Sequence, residues 1–520
     1  MVSGITNTDS LPTVNVTIND FGLRIAPPNP GPKLTIIGGF EGATPGIIPM
    51  NEPLLIDNVG VAMRNLRNQT DGSPSEITLA IEEAIAAGTT NIEVVVTDTG
   101  VVTPYSGSDV GDHMSGLYTK LASTYSKLQH HEVDIVYVAG AYADGAFSGT
   151  TDAAATDSLV GNSFVAQLGE FCYQLTKESN SAFGVIGVTP LAHVAKQLTW
   201  KDAGATAVSD FTSTTGAWFM TPSLTLVNEY VKYLTQDAGD TSVYGGASNA
   251  SYTGESFTGS SWVKYLKGSV LNSTDASAPD TDYIGLMQPN NNDTDTTAAT
   301  DGDGNKVDAG AYVSVVGGIA RAFGTEAKKF AVAKGAGTVS YVNSNGAASY
   351  AAMLTVVQPH IGVTNRPLAG LGQARTLSGV QARSLLQHRI VALLQKAAGY
   401  VITSGITGAF NAGINSRSDY TRVTTIRTTQ AMGEIIRDAG EAFIGKPISG
   451  PFLAALESAI DTNLQRALKR GAIKSYDFAI SSTPDQQVLG EVTIDLSMVP
   501  AFELVTINTT ISLAKGEGIG

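Results

Sequence analysis

The sequence predicts an α/β protein (α+β overall) that is divided into several domains. Between residues 34 and 188, short β-branched runs alternate with segments whose apolar residues recur at helical spacing, a pattern typical of an α/β sheet. Further helices and strands follow near the C-terminus, and strands of period two lie near both ends of the chain. Because 520 residues exceed what one small core organises, nested insertions are expected within this framework.

The alternating region contains four predicted strands and two predicted helices. The strands cover residues 34–37, 91–97, 133–138 and 183–188, and the helices cover 75–87 and 163–176. Cys172, the only cysteine of the chain, lies in the second helix among apolar neighbours, so we interpret it as a core thiol. A single cysteine excludes an intrachain disulfide framework and a zinc site built on several cysteines.

Charge is distributed unevenly along the chain. Residues 203–305 hold twelve acidic and three basic residues, a net −9, in a stretch rich in Ser, Thr, Gly and Asn that indicates an exposed insertion or an appended small domain. Residues 374–474 reverse this balance, with thirteen basic and six acidic residues, a net +7. The overall charge of −15 argues against binding to nucleic acid and against docking on anionic lipid.

Two amphipathic helices are predicted in the basic region. The first has one apolar side formed by Val380, Leu385, Leu386, Ile390, Leu393 and Leu394. The second spans about residues 450–470, with Pro451 in its first turn, Ser449 or Gly450 as its cap and Gly471 just past its end. Its apolar stripe is formed by Leu453, Leu456, Ile460, Leu464 and Leu468.

Half-buried strands are predicted near both ends of the chain. Val14, Val16 and Ile18 alternate with polar residues before a proline-rich connector at 27–32. Two strands close the sequence, separated by Pro500; their apolar residues are Val492, Ile494, Leu496 and Met498 in the first and Val505, Ile507, Ile511 and Leu513 in the second. Such strands either fold back on their own domain or add to the sheet edge of another copy.

The search for catalytic motifs is negative, so no enzyme, cofactor or metal is predicted. No Walker loop and no Gly-x-Ser-x-Gly turn occurs. His130 and His131 lack the spacing of a metal pair, and the Asp301, Asp303 and Asn305 series departs from a calcium loop at its glycine and glutamate positions. Asp134 and Asp144 flank a strand end but define no reaction. We also expect no leader and no membrane-spanning run of about 18 apolar residues.

Three stretches of the C-terminal region resemble contractile tail sheath proteins of bacteriophages and related contractile injection systems. The first is 368–399, with SGVQAR at 378–383. The second is 415–422 (NSRSDYTR) with Ile435 and Ile436 downstream, although Ala409, Phe410 and Asn411 replace the usual tryptophan–glycine lead-in. The third is 450–473 with the strands that follow it. The resemblance covers about 350–513 well and the earlier α/β part loosely.

The resemblance implies a layout of domains and terminal arms. It assigns 1–26 to an N-terminal arm, 27–202 with 306–370 to an outer α/β domain, 203–305 to an outward-facing insertion, 371–500 to an inner α/β domain that faces a tail tube, and 501–520 to a C-terminal arm. In that family, arm strands of two subunits add to a sheet in a third. The implied inter-subunit residues are Val14, Val16, Ile18, Val505, Ile507, Ile511 and Leu513.

The implied function is that of a structural subunit, with no catalytic residues and no nucleotide. The chain would polymerise as stacked hexameric rings around an inner tail tube and contract to drive the tube through a cell envelope. Its partners would be other copies, the tube protein, and baseplate and tail terminator proteins, with no nucleic acid and no membrane insertion. It would be assembled in the bacterial cytoplasm and reside in a virion tail or injection particle. Some of the basic residues Arg466, Lys469, Arg470 and Lys474 are predicted to face the tube; the alternative is that they end the second amphipathic helix because the helix dipole favours basic residues there.

Three other interpretations stay open from the sequence. A capsid or surface-layer subunit would also self-assemble, but it would more often carry a basic arm or a leader. An α/β enzyme would need a site built from residues that the sequence does not connect. A secretion-system sheath is commonly divided between two chains, whereas both predicted arms lie in this one.

Overall fold

The structure, a computed structural model, describes residues 32–40, 48–97, 131–143, 164–177, 181–188, 309–333, 339–387, 389–409, 419–489 and 491–504, with a few isolated residues between these ranges. Its strands are β1 (Leu34–Gly38), β2 (Pro53–Leu55), β3 (Ile92–Val96), β4 (Ile135–Tyr142), β5 (Phe183–Gly187), β6 (Val313–Gly317), β7 (Ala320–Phe323), β8 (Tyr341–Ser344), β9 (Leu371–Gln373), β10 (Ile390–Lys396), β11 (Gly399–Ile402), β12 (Ile473–Ser481) and β13 (Thr493–Pro500). Its helices are α1 (Val59–Asn65), α2 (Glu76–Ala86), α3 (Phe164–Lys177), α4 (Thr325–Ala333), α5 (Ala347–Val356), α6 (Gly379–Gln387), α7 (Val423–Glu441), α8 (Gly450–Lys469) and α9 (Pro484–Leu489).

An eight-stranded sheet organises the larger part of the described chain. Its order is β11-β10-β6-β5-β4-β1-β3-β2, and the six inner strands run parallel while β11 and β2 are antiparallel edges. The strands are almost completely buried, as expected for parallel strands covered on both faces. The α/β class and each strand and helix predicted between residues 34 and 188 are therefore confirmed.

The two faces of this sheet carry separate apolar cores. Alternate strand residues such as Ile36 and Ile37 point to opposite sides. Ile36 belongs to the core under α2 and α5, and Ile37 to the core under α3, α4 and α6. Cys172 lies in the second core with no exposed surface, and burial raises the pKa of its thiol, so its interpretation as a core thiol is confirmed.

The predicted amphipathic helix at 380–394 is wrong in its second half. The helix α6 ends at Gln387, and the run Ile390–Leu394 forms β10, which pairs in parallel with β6. A short apolar run without polar interruptions fits a buried strand as well as a helix, and the neighbouring strand decides between them. Consequently β10 and β11, from the segment predicted as the inner domain, complete the large sheet.

Half-buried carboxylates bind α2 to its neighbours. Glu82 accepts hydrogen bonds of 2.9 Å from the backbone N–H groups of Glu326 and Ala327 at the start of α4, where a negative charge complements the helix dipole. Glu83 accepts a 3.4 Å hydrogen bond from the Ser349 hydroxyl on α5. Burial, reinforced by Glu76 and Glu82 and opposed by hydrogen bonds from Ser344 and Ser349, raises the pKa of Glu83 to about 7.

We predict that stability falls as the pH rises through the pKa of Glu83. A carboxyl group whose folded-state pKa is raised stabilises the fold fully below its unfolded pKa, and this contribution is lost as the pH approaches 7. Each pKa unit corresponds to about 1.4 kcal/mol, so, with allowance for partial exposure, Glu83 should account for about 2 kcal/mol of lost stability. Glu83→Gln should flatten this part of a urea-unfolding profile measured from pH 4.5 to 8.

The control for the lost charge is Glu457→Gln, at an exposed position on α8. A smaller slope should survive in Glu83→Gln because burial also raises the pKa of Asp134, to about 6. If the Glu83→Gln profile were as steep as that of the unmodified chain, Glu83 would not be the group responsible.

Candidate assembly interface

A small module with its own core follows the large sheet. It comprises the second half of α7, all of α8 and the hairpin of β12 and β13. Its buried residues are Met432, Ala439, Leu456, Ile460, Leu464, Ala467, Ala472 and Ile473. The module therefore combines two helices with one two-stranded sheet, and we call it the C-terminal module.

The helix α7 connects this module to the sheet. Its first half is buried against the sheet, where Gln430 Nε2 donates to the carbonyl of Ala182 at 2.7 Å. Arg427, also buried, donates to the carbonyl of Val357 at 3.3 Å. Burial lowers the pKa of Arg427 to about 10, against the opposing influence of Asp134 and Tyr350. Polar groups thus fix the orientation of α7 where it leaves the larger core.

The helix α8 begins and ends as its sequence predicts. Ser449 occupies the N-cap position, Pro451 lies in the first turn, and Gly471 follows the helix with a φ of +75°, a conformation that favours glycine. Leu456, Ile460 and Leu464 are buried, but Leu468 is 39% exposed and Ala467 takes the next buried position. The stripe follows the helical period of 3.6 residues, which turns position 468 away from the core.

The hairpin presents one face to the helices and the other to solvent. On β12 and β13, half-buried Tyr476, Phe478, Leu496 and Met498 pack against the module core, and the intervening residues are mostly exposed. Tyr476 also donates from its hydroxyl to Asp461 on α8 at 2.6 Å. The predicted alternation of Ile494, Leu496 and Met498 is therefore confirmed.

The partner strand β12 was not among the sequence predictions. A signal for it exists, because Tyr476, Phe478 and Ile480 alternate with Asp477 and Ala479. It pairs with β13 over eight positions, from Ile473 opposite Pro500 to Ser481 opposite Thr493. Within the described residues each of the two strands has a single neighbour, so both outer edges of the hairpin keep unpaired backbone groups.

Several apolar side chains of the C-terminal module are exposed. They are Ile444, Leu468, Val488, Val499, Phe502 and Leu504, of which Ile444, Val488 and Leu504 are at least three-quarters exposed. Scattered exposed apolar residues are ordinary, but their combination with open strand edges is typical of a surface that binds another protein.

The four basic residues predicted to face a partner all lie at the end of α8 or the start of β12, and all are exposed. The structure divides them into two groups. Arg466 and Arg470 line a cleft, whereas Lys469 lies outside it and Lys474 Nζ lies 5.3 Å from the ring centre of Phe502. None of the four forms an ion pair with a carboxylate among the described residues.

The cleft has a volume of about 350 Å³ and lies between α7, α8 and residues 358–360. Its apolar lining comes mainly from Ala431, Met432, Ile435 and Ala467. Polar groups border it: Arg466 Nη1 donates to Asn463 Oδ1 at 3.0 Å, and Thr428 Oγ1 is buried without a hydrogen-bond partner among the described groups. Burial and the charge of Arg470 both lower the pKa of His360, so the cleft has an excess of positive charge.

The last described residues are held against the same module. The backbone N–H of Ala501 donates to the carbonyl of Ala472 at 3.0 Å. The Glu503 carboxylate lies 3.7 Å from the Arg422 guanidinium at the start of α7, and burial raises the pKa of Glu503 despite this neighbour. The segment that leads to the predicted C-terminal arm therefore begins from a fixed position.

The candidate chemical residues do not converge on a site. His131 Nε2 lies 2.6 Å from the buried Glu93 carboxylate, which accounts for it as part of a local ion pair. Asp134 precedes β4, so it lies at the amino end of the parallel sheet and not at the carboxyl end where α/β proteins bind ligands. It accepts a 2.7 Å hydrogen bond from the backbone N–H of Lys33. Over the described residues, no group of three metal-ligating side chains occurs, and none of the helices has the length and hydropathy of a membrane span.

Several predicted residues lie outside the described residues. These include both sets of arm residues, namely Val14, Val16, Ile18, Val505, Ile507, Ile511 and Leu513, together with nearly all of the 203–305 insertion. His130, Asp144, Asp301, Asp303 and Asn305 also lie there.

Comparison with known proteins yields structural similarity only. No family model matches the chain, and no curated protein matches it significantly. A chain of the contracted sheath complex of an extracellular contractile injection system, PVC, superposes with a TM-score of 0.50 at 10% identity, over 98% of each chain. A chain of the anti-feeding prophage baseplate gives 0.49 at 11% identity over 99% of each, and the sheath tail protein of Desulfitobacterium hafniense gives 0.43 at 9% identity over 94% of this chain and 100% of that one.

The chain therefore shares the fold of a contractile sheath subunit. The similarity to the PVC sheath protein extends over nearly the full length of both chains, including the C-terminal module. The sheath resemblance inferred from the sequence motifs is thus confirmed at the level of the fold.

We predict that Leu464 and Leu468 differ sharply in their contribution to stability. Leu464→Ala empties a fully buried position in the module core and should lower the free energy of unfolding by about 3 kcal/mol. Leu468→Ala, four residues later on the same helix, is the matched control and should cost less than about 1 kcal/mol. Urea unfolding at low protein concentration measures both. If both substitutions lowered the free energy of unfolding equally, Leu468 would be buried, as the apolar stripe in the sequence predicts.

Proposed function

We propose that this protein is the structural subunit of a contractile sheath, and that it polymerises as stacked hexameric rings around an inner tail tube. One observation carries the proposal. A two-stranded sheet whose two outer edges are open among the described residues lies in a chain whose similarity to the sheath structure covers nearly its whole length. Contraction of this assembly would drive the tube through a cell envelope. The role is structural, without catalysis or a cofactor.

The open edges of β12 and β13 are the proposed acceptors for arms of neighbouring subunits. A two-stranded sheet is only marginally stable alone, and added strands would extend the backbone hydrogen bonding on either side. An arm whose residues alternate as Val14, Val16 and Ile18 do would place its apolar side on α7 and α8, next to Phe478 and Leu496. The C-terminal arm, with Val505, Ile507, Ile511 and Leu513, would fill the equivalent position in another subunit.

The domain layout and the remaining partners belong to the same proposal. The 203–305 insertion would face outward, and the C-terminal module would be the part of 371–500 that faces the tube. Baseplate and tail terminator proteins would cap the polymer at its ends. The particle would be a virion tail or an injection particle assembled in the bacterial cytoplasm.

The basic surface at the end of α8 is proposed to face an acidic tube surface. It is formed by Arg466, Lys469, Arg470 and Lys474, which are exposed and have no ion-pair partner among the described carboxylates. Opposite charges on two such surfaces would raise the association rate and fix the orientation of a subunit on the tube. Among these four residues, Lys469 gives the most direct test of a tube contact, because it does not line the cleft.

We predict that removal of residues 1–20 leaves a folded subunit that does not polymerise. These residues precede β1, the first described strand of the large sheet, so the sheet should form without them. Circular dichroism should show an unchanged fold, and electron microscopy should show tubes for the full chain only. Deletion of residues 272–282, inside the proposed outward-facing insertion, is the control and should preserve polymers. Tubes formed by the 1–20 deletion would contradict the arm assignment.

We predict that Lys469→Glu weakens the coating of isolated tail tubes without affecting polymerisation of the subunit alone. A reversed charge facing an acidic surface should reduce the coated fraction about tenfold at low salt, with a smaller effect at 0.5 M salt. Lys446→Glu, at an exposed position in the turn between α7 and α8, is a matched control. Equal coating by Lys469→Glu and the unmodified chain would exclude a tube-facing role for this residue.

A further inference from the structure

The cleft beside α8 has the chemistry of a pocket for one acidic side chain with apolar neighbours. Arg466 and Arg470 supply positive charge at its edge, and Met432 and Ile435 form part of an apolar floor. Burial lowers the pKa of His360, which also lines the cleft, and the charge of Arg470 adds to this effect. A polyanion is a poor occupant because the chain as a whole carries −15.

The cleft adjoins the edge at which an arm strand would end. Ala472 lines the cleft, and the next residue, Ile473, begins β12. A strand added antiparallel to β12 would run toward Ile473 and bring its following residues to this end of the hairpin. The cleft is therefore within reach of the residues that directly follow an arm strand.

The sequence after the N-terminal arm strand matches these requirements. Residues 1–31 contain two carboxylates, Asp9 and Asp20. Asp9 lies between a threonine and a serine, whereas Asp20 directly precedes Phe21 and follows Ile18 by two positions. Because strand side chains alternate, Asp20 belongs to the same series as Val14, Val16 and Ile18.

Because Asp20 belongs to the same alternating series as Ile18, its side chain would point to the same face of the added strand. The apolar face of the hairpin packs on α7 and α8. An added strand would therefore direct the side chains of Val14, Val16 and Ile18 to that same face. Asp20 lies about 7 Å beyond Ile18 along an extended chain. Its carboxylate would then enter the cleft from the Ile473 end, with Phe21 beside it.

We propose that the cleft binds the Asp20–Phe21 segment of a second copy, with the Asp20 carboxylate paired to Arg466 and Arg470. The inference rests on the proposed exchange of arms and assigns those two arginines a partner within the sheath. This pairing replaces the tube-facing role proposed above for Arg466 and Arg470, whereas Lys469 and Lys474 keep that role. The pairing would set the register of the arm, because an arm shifted by one residue would carry Asp20 to the opposite face of the sheet.

A charge-exchange experiment tests this pairing in the full-length chain. Asp20→Lys alone and Arg466→Glu with Arg470→Glu should each raise the concentration needed for polymerisation by at least about tenfold, measured by sedimentation. The combined variant, which exchanges the charges across the interface, should recover most of this loss. The matched controls are Asp9→Lys and Lys446→Glu, which should polymerise as the unmodified chain does.

A disulfide test gives a readout that does not depend on charge. Asp20→Cys with Arg470→Cys should form a ladder of linked chains on a non-reducing gel, and Asp9→Cys with Arg470→Cys should not. The native Cys172 does not interfere because it is fully buried. A mixture of isotopically labelled and unlabelled chains should show by mass spectrometry that the linked peptides come from two copies.

The outcomes separate this inference from the sheath proposal. Polymers in which the Asp20 and Arg470 variants neither cross-link nor show charge rescue would overturn the inference alone. Cross-linked copies that form closed shells and never coat a tube would support the inference and overturn the sheath. A chain that stays monomeric at every concentration, without cross-links, would overturn both.

Discussion

Backbone hydrogen bonding is the constraint on which the rest of this structure depends. In the large sheet, six parallel strands supply each other with partners, the outer side of β11 is hydrogen-bonded to residues 365–368, and the opposite edge is the three-residue strand β2. Helices cover both faces, so the strands become nearly continuous apolar runs. The same requirement has a different outcome in the C-terminal module, where the hairpin leaves two open edges among the described residues.

The contrast between these two sheets explains why the proposed function is placed at the module. The large sheet leaves only the short strand β2 as an edge without further backbone pairing among the described residues, and it holds polar side chains in pairs such as His131 with Glu93. The hairpin has one face fixed on α7 and α8, and it needs further strands to complete it. A surface that is fixed on one side and incomplete on its edges is suited to assembly.

The helix α7 links the two parts mechanically. Its first half is anchored to the sheet by buried Arg427 and Gln430, and its second half forms a wall of the module core. Breaking either buried hydrogen bond would leave polar groups unpaired in the interior, which costs more than the bond itself stabilises. A force applied to the hairpin edges would therefore reach the large sheet through α7.

The sequence by itself determined the α/β class, four of the five strands and two of the three helices described between residues 34 and 188, and the bounds of α8; it gave no signal for β2 or α1. These features depend on local periodicity and caps: Ser449, Pro451 and Gly471 mark the ends of α8 through backbone preferences that act within a few residues. The basic residues at the end of α8 and the sheath resemblance were equally visible in the sequence.

Features that depend on packing between distant elements were decided only by the tertiary structure. The run Ile390–Leu394 is a strand because β6 offers it an edge, and Leu468 is exposed because the helix turns away from its core. The cleft joins residues that lie more than 100 positions apart, His360 and Arg470 among them, and no local pattern encodes that proximity. Secondary structure follows from the order of neighbouring residues, whereas a binding surface follows from which elements the core brings together.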